Sequence, residues 1–399
     1  MQLILALAHV ATTVINNLPE ARNFAGYCIP VYDVDPTDMA VEKLIVLFRH
    51  GDRAPLSTAN TLWESESCVE CSTKTCRKIP CKDGTLTIKG FRQGKRLGSF
   101  IREHYQRHPR VFQKIRAIHT LVGRTRDTLM GVLHGIGVED TETFVGKSLL
   151  LSPECTRLRD TLAMQGQDRA AYERFDGVIA SVCNSVPLNC EKLNCDLLDI
   201  SQTIEAELSS YTSLMGRFRT SLELNALEFS GLAMELAGMV NDGDGMMLMA
   251  AHDSSISKML NGLNVGYNGI PPYASAVFIE VLEDGSGGRF VRGFFEGENI
   301  RFGGKKQPSV DQFTEYLSIF GSKHEKLQKI CGGFDGSQDK EHFRSEILGL
   351  FGDSGPRSQG EDGPASKRVV SAWFFNDLPS FLDVMRAVLA RVSMLFSNA

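Results

Sequence analysis

Two short apolar runs, Leu44–Phe48 and Met246–Ala251, each break abruptly into charge, and this pairing restricts the fold more than any other feature of the chain. A run without polar alternation reads as a strand buried on both faces, as in a largely parallel sheet. The first run passes into Arg49-His50-Gly51-Asp52-Arg53-Ala54-Pro55 and the second into His252-Asp253-Ser254. Open α/β sheets bind ligands beyond the carboxyl ends of their strands, so both loops lie where a site is expected.

Around these strands the pattern supports an α/β core carrying an insertion. With 399 residues the chain exceeds an ordinary single domain, so a second lobe or a large insertion is expected. Thr85 to Tyr105 repeats apolar residues on a helical period with Thr87 placed as N-cap, Val111 to Leu121 has strand character, and Thr125 to Leu133 begins another helix. Ser152 to Cys195 is irregular, polar and cysteine-bearing, whereas Ile204 to Met239 is strongly helical; together residues 152–239 read as an α-helical cap. The turn Asn241-Asp242-Gly243-Asp244-Gly245 returns the chain to the core, and Val277 to Leu282 with Phe290 to Phe295 read as a hairpin joined by a glycine-rich loop. These assignments put the core at about 41–151 and 240–334. Residues 335–399 form a tail, in which Gly352 to Lys367 has linker composition and Val369 to Phe396 reads as an amphipathic or partner-binding helix rather than a membrane span.

Composition removes some function classes. A net charge of -5 without a long basic run argues against nucleic-acid binding, so any anion site must concentrate positive charge locally. Ten cysteines, with Cys68, Cys71, Cys76 and Cys81 in one cluster, Cys183, Cys190 and Cys195 in another, and Cys28, Cys155 and Cys331 apart, favour disulfides and an oxidising compartment. The rival reading is a zinc-binding module at Cys68-Val69-Glu70-Cys71, against which stand the lack of a second CxxC and of any histidine in the cluster. The apolar stretch Leu3 to Ile15 has the length of a signal h-region without a basic flank, so residues 1–26 read as a signal or short anchor through which membrane association is possible. The chain has no Asn-x-Ser/Thr sequon.

Hydrolysis of a phosphomonoester needs a dianion neutralised, a nucleophile in line with the leaving oxygen, and a proton for that oxygen. Arg49 and Arg53 can supply planar donors matched to phosphate oxygens, and His50 between them can attack as the neutral imidazole that nearby guanidiniums favour. His252 can add a donor and Asp253 can be the acid. A lone His-Asp pair is more often a helix cap, and the three arginines Arg157, Arg159 and Arg169 are more often a solvated face than a pocket.

Arg49-His50-Gly51-Asp52-Arg53-Ala54-Pro55 together with His252-Asp253 resembles the histidine acid phosphatase family. The resemblance implies a phosphoglycerate-mutase-like α/β core with an inserted α-helical cap, no metal and no cofactor. It implies His50 as the phosphorylated residue, Asp253 as proton donor, and Arg49, Arg53 and His252 as phosphate ligands. A further phosphate arginine of the family falls in Gly123-Arg124-Thr125-Arg126-Asp127-Thr128, with Arg124 nominated ahead of Arg126. Tyr27-Cys28-Ile29-Pro30, Gly84 to Gly90, Gly123 to Gly131 and Cys183 to Cys195 are similar to the xylosyl phosphatase subfamily, over about Tyr27 to Cys331. That likeness implies removal of the 2-phosphate from xylose in the glycosaminoglycan–protein linkage region, in the Golgi lumen or a secreted form. The alternatives are a broad-specificity or inositol-phosphate phosphatase sharing this core, and an inactive homologue that binds phosphorylated glycans.

Overall fold

In a computed structural model, residues 27–351 are described except for 58–67, 73–74, 139–140, 147–148, 150–151, 163–168, 185, 187–196, 268, 335 and 337–338. The apolar N-terminal stretch, Cys190, Cys195, the glycine- and serine-rich linker and the amphipathic C-terminal segment lie outside these residues. All described residues fall in one compact unit.

In chain order the strands are β1 (Ala40–Arg49), β2 (Cys68–Cys71), β3 (Cys76–Ile79), β4 (Ile115–His119), β5 (Thr143–Val145), β6 (Gly245–Ala251), β7 (Ala276–Glu283), β8 (Arg289–Phe295) and β9 (Glu298–Ile300). The helices are α1 (Ile88–Tyr105), α2 (Gly123–Ile136), α3 (Pro153–Leu162), α4 (Arg169–Asn184), α5 (Leu197–Thr220), α6 (Leu222–Met239), α7 (Asp253–Gly262), α8 (Val310–Gly321), α9 (His324–Gly332) and α10 (Lys340–Gly349). Seven strands form one sheet in the order β5-β4-β6-β1-β7-β8-β9, while β2 and β3 pair by themselves. Strands β5, β4, β6 and β1 run parallel, and β7, β8 and β9 continue as an antiparallel meander.

The expected apolar runs are thus neighbours at the centre of a mixed sheet. Ile45 and Leu47 face a core shared with α6, α7 and α8, whereas Leu44, Val46 and Phe48 face one shared with α1 and α2. Burial on both faces explains why the run shows no alternation. Its register sets Arg49 beside Ala251, so the residues that follow, His50 and His252, leave the sheet side by side.

On the second face α1 and α2 cross at backbone contact. A Cβ on Gly98 would lie 2.0 Å from the Val132 carbonyl oxygen, and one on Gly135 2.1 Å from that of Lys95. The loop after β1 meets the start of α1 as closely, with a Cβ on Gly51 falling 2.3 Å from the Gly90 carbonyl oxygen. Thr87 caps α1 as expected, accepting from Gly90 N at 3.0 Å, and its hydroxyl also donates to Asp52 Oδ1 at 2.8 Å.

Several boundaries differ from the sequence reading. Val111 lies in a 3₁₀ turn over Pro109–Phe112, and the strand begins only at Ile115. The stretch read as irregular forms α3 and α4, the latter burying Phe175, Val178 and Ile179. The long helix expected over Ile204 to Met239 breaks at Ser221, whose hydroxyl caps α6 by accepting from Leu224 N at 3.2 Å. By its packing α6 sits against the sheet, because Ala226, Phe229, Ala233 and Leu236 share a core with Ile45 and Leu47. The tail expected from residue 335 instead continues the core, with Phe343 and Ile347 of α10 and Phe351 buried in that cluster. Among the described residues no helix is long and apolar enough to cross a membrane.

Disulfides join Cys28–Cys183, Cys68–Cys81, Cys71–Cys76 and Cys155–Cys331. Cys68 and Cys71 therefore belong to separate bridges, which removes the thiolates that a zinc reading of this CxxC requires. Among the described residues no group of three or more His, Cys, Asp or Glu is placed to hold a metal ion.

Candidate active site

The carboxyl ends of β1 and β6 deliver the two loops to one place. His50 N donates to Ala251 O at 2.9 Å, and the His50 and His252 rings stand 5.5 Å apart, edge to face. The loop after β1 is held by buried groups: Gly51 N donates to Thr128 Oγ1 at 2.9 Å, and Asp52 N to Gln93 Oε1 at 2.7 Å. The Gln93 amide in turn donates to Cys28 O at 2.7 Å.

His50 is 2% exposed, and its Nδ1 lies 2.8 Å from the Gly51 carbonyl oxygen. A carbonyl only accepts, so Nδ1 carries the proton and the lone pair resides on Nε2. Burial, then Arg124, Arg49, Arg53 and His252, hold its pKa well below 6.5, leaving a neutral ring with a free nitrogen nucleophile.

Three guanidiniums surround this ring. Arg49, 1% exposed, lies 4.3 Å above the Tyr273 ring and 5.0 Å from that of Tyr27, donates to Pro271 O at 2.6 Å, and pairs with Asp253 at 2.8 Å. Tyr273 is placed by an unusual turn in which Ala274, at φ 57°, donates its N–H to His50 O. Arg53 forms a two-pronged pair with Asp176 of α4, at 2.6 and 3.1 Å. Arg124, in the first turn of α2, has a buried Nε without a partner among the described residues. Burial and the neighbouring Arg53 push its pKa down to about 10, which leaves it cationic at neutral pH. Arg126 turns away from this cluster to Asp127, at 2.9 Å, and is partly exposed.

His252 occupies the N-cap position of α7, and its Nε2 lies 3.0 Å from Thr120 Oγ1. Burial and then Arg124 push its pKa down to about 4, so it is neutral until an arriving anion favours its charged form. Burial pushes the Asp253 carboxyl up, but Arg49, His252 and the Ser254 amide outweigh it and hold the group below its usual range. Asp52 is not a member of the cluster in this sense. It is fully buried, accepts from Thr87 and from Asn184 of α4, and is pushed up to about 6 by burial.

A cavity of about 290 Å³ opens from Arg49, Arg53 and Asp253 toward Phe175, Tyr211 and Glu228. Of the arginines weighed in the middle region, Arg159 lines it but is tied to Glu228 and Asp160, and Arg157 is exposed. The Arg169 side chain lies outside the described residues. Tyr27, Tyr273, Asp176, Gln93 and Thr128 were not legible as site residues. Gln93 and Gly90 share a helix face at i, i+3, the one pattern that could have flagged Gln93, whereas Asp176 reaches the loop only through the tertiary fold.

The arrangement gathers three guanidiniums around a buried neutral imidazole, on an α/β core. The same fold is found in the phytase of Klebsiella sp ASR1, at 15% identity and a TM-score of 0.50, covering 72% of this chain and 96% of that one. In sequence the chain is homologous to prostatic acid phosphatase, a histidine acid phosphatase. It is 27% identical to the Mus musculus protein over 323 residues, covering 66% of this chain and 81% of the relative. It is 26% identical to the Rattus norvegicus protein over 321 residues, with the same coverage. No protein-family model matches the chain.

Proposed function

We propose that this chain is a histidine acid phosphatase that hydrolyses phosphomonoesters through a phosphohistidine formed on His50. The observation that carries the reading is the bare Nε2 of a buried, neutral His50 ringed by Arg49, Arg53 and Arg124. The Nε2 lone pair forms the N–P bond as the P–O bond to the leaving group breaks, and that oxygen takes a proton from Asp253. A water molecule then loses its proton to the Asp253 carboxylate and attacks phosphorus, releasing inorganic phosphate and restoring His50. Arg49, Arg53, Arg124 and a protonated His252 neutralise the phosphoryl oxygens throughout.

Asp253 must carry a proton to act as the acid, while Arg49 holds it ionised. An arriving phosphate competes for Arg49 and adds its own negative charge beside the carboxyl, and both effects raise the Asp253 pKa. Turnover of esters with poor leaving groups therefore increases toward acid pH. His50→Ala abolishes turnover, and brief labelling of wild type at acid pH traps an acid-labile, base-stable phosphoenzyme; retained activity in His50→Ala would falsify the covalent mechanism. Asp253→Asn slows poor leaving groups far more than aryl phosphates, and equal losses would remove its role as acid.

For the substrate, the reading is a phosphorylated sugar, namely the 2-phosphate of xylose in the glycosaminoglycan–protein linkage region, met in the Golgi lumen. Its support is the likeness of Tyr27 to Pro30, Gly84 to Gly90, Gly123 to Gly131 and Cys183 to Cys195 to the xylosyl phosphatases. The Cys28–Cys183 bond joins two of these segments, and four disulfides accord with a secretory-pathway lumen. Assaying a xylose-2-phosphate linkage oligosaccharide against inositol hexakisphosphate and an aryl phosphate tests it. A preference for the hexakisphosphate would replace this reading with the inositol-phosphate one.

A further inference from the structure

One wall of the cavity carries a carboxylate beside the proposed phosphate clamp, and by charge alone it works against an incoming anion. Asp176, on α4, lines the cavity next to Arg53 and is itself buried. Its Oδ1 and Oδ2 accept from Arg53 Nη2 and Nη1 at 2.6 and 3.1 Å, and Oδ2 also accepts from Leu56 N at 2.6 Å. The backbone of the loop has other supports. Gly51 N donates to Thr128 and Asp52 N to Gln93, while Ala54 N donates to Thr85 O and Pro55 O accepts from Gly84 N, both at 2.8 Å. What Asp176 adds is a hold on the Arg53 side chain.

That side chain is long and rotamer-rich, and it has a reason to move. After burial, Arg53 is the largest cause that lowers the Arg124 pKa, so the two guanidiniums repel at short range. A two-pronged carboxylate fixes both the direction and the plane of a guanidinium. We propose that Asp176 is a positioning residue of the phosphatase site, holding Arg53 toward the phosphoryl oxygens, so that α4 completes a clamp the strand-end loops do not complete by themselves. The inference rests on the phosphatase reading of the His50 site. Further along α4, Asn184 donates to Asp52 Oδ1 at 2.6 Å and Cys183 is bonded to Cys28, so the helix that carries Asp176 is fastened at its other end as well.

Charge and geometry predict opposite results for Asp176→Asn. Were neutralisation its whole effect, removing the carboxylate would let inorganic phosphate inhibit more tightly and kcat/KM would not fall. Positioning predicts that kcat/KM on 4-nitrophenyl phosphate falls by about tenfold to 100-fold, mostly in kcat, because a misplacement of about 1 Å is felt in the transition state. Asp176→Glu keeps the charge but displaces the guanidinium by a methylene, and also loses about tenfold. The deciding measurement is a double-mutant cycle: in an Arg53→Gln background, Asp176→Asn costs less than about twofold, because its effect passes through the guanidinium. Rates are taken per folded molecule, from near-ultraviolet circular dichroism and thermal melts of each variant. Equal losses in both backgrounds would mean a role in the fold alone and overturn the assignment. Wild-type kcat/KM in Asp176→Glu, or tighter phosphate inhibition with kcat/KM retained in Asp176→Asn, overturns it too, and all three leave the phosphatase reading standing. A wild type without His50-dependent hydrolysis of 4-nitrophenyl phosphate overturns both.

Discussion

Replacing Arg124 by Met keeps most of the buried side-chain volume while deleting the one guanidinium of the proposed clamp that, among the described residues, no carboxylate faces at salt-bridge distance. Arg49 is matched by Asp253 and Arg53 by Asp176, so Arg124 contributes the uncompensated charge that a dianion meets. At an effective dielectric of about 20 and a separation of about 4 Å, one unit of charge on each side is worth about 4 kcal/mol. Partial rearrangement of the remaining arginines reduces this to about 3 to 4 kcal/mol, or about 150- to 1,000-fold in kcat/KM. Arg126→Met, whose side chain is paired with Asp127 outside the cluster, changes kcat/KM less than about twofold. A second readout concerns pH. In the proposed mechanism His50 attacks only when neutral, so activity is lost as pH falls through its pKa. Burial and Arg124 head the causes that hold that pKa below 6.5. Removing Arg124 raises it, and the acid limb of the profile moves to higher pH. Steady-state kinetics from pH 3 to 8 on both variants decides the matter: equal losses, or an acid limb that moves down, would refute the assignment.

Gly98→Ala places a Cβ 2.0 Å from the Val132 carbonyl oxygen, so α1 and α2 must separate. The expected loss is about 1–3 kcal/mol or more, seen as a melting temperature several degrees lower, and an unchanged melt would show that the helices separate freely. Asp52, fully buried, is pushed up to about 6, so its contribution to stability is present below its unfolded pKa and is lost as pH rises through about 6. Asp52→Asn keeps the acceptor for Thr87 and Asn184; it is neutral near pH 4 and stabilises above pH 6 by about 2–3 kcal/mol, and a pH-independent melting difference would contradict this.

The loop after β1 was legible because backbone demands and chemistry coincide there: an unbroken apolar strand, a glycine where α1 approaches, and charges where strands end. The pairing of His50 with His252 needed only the inference that both runs lie in one sheet. Arg124 rather than Arg126 lies in the cluster because the first turn of α2 aims one residue at the loop and the other at Asp127, a rotation the sequence does not state. Asp176 and Tyr273 were beyond reach, since each touches its arginine through loops and helices whose placement is set by packing far along the chain. The polar composition of Ser152 to Asn184 masked two helices, because few apolar residues suffice when a helix buries only a narrow stripe. The end of the core was misplaced although its signal was present: Phe343, Ile347 and Phe351 recur at i, i+4 and i+8, the stripe of a helix that buries one face.

The bond between Cys28 and Cys183 fastens the segment bearing Tyr27 to the helix bearing Asp176, two walls that hold Arg49 and Arg53. Before this bond forms, the newly made chain carries its complete heptapeptide but lacks the covalent clasp over it. Without the bond, the segment over Arg49 and the helix that pairs with Arg53 are joined by packing alone. One crosslink thereby ties the geometry around two arginines to an oxidising environment.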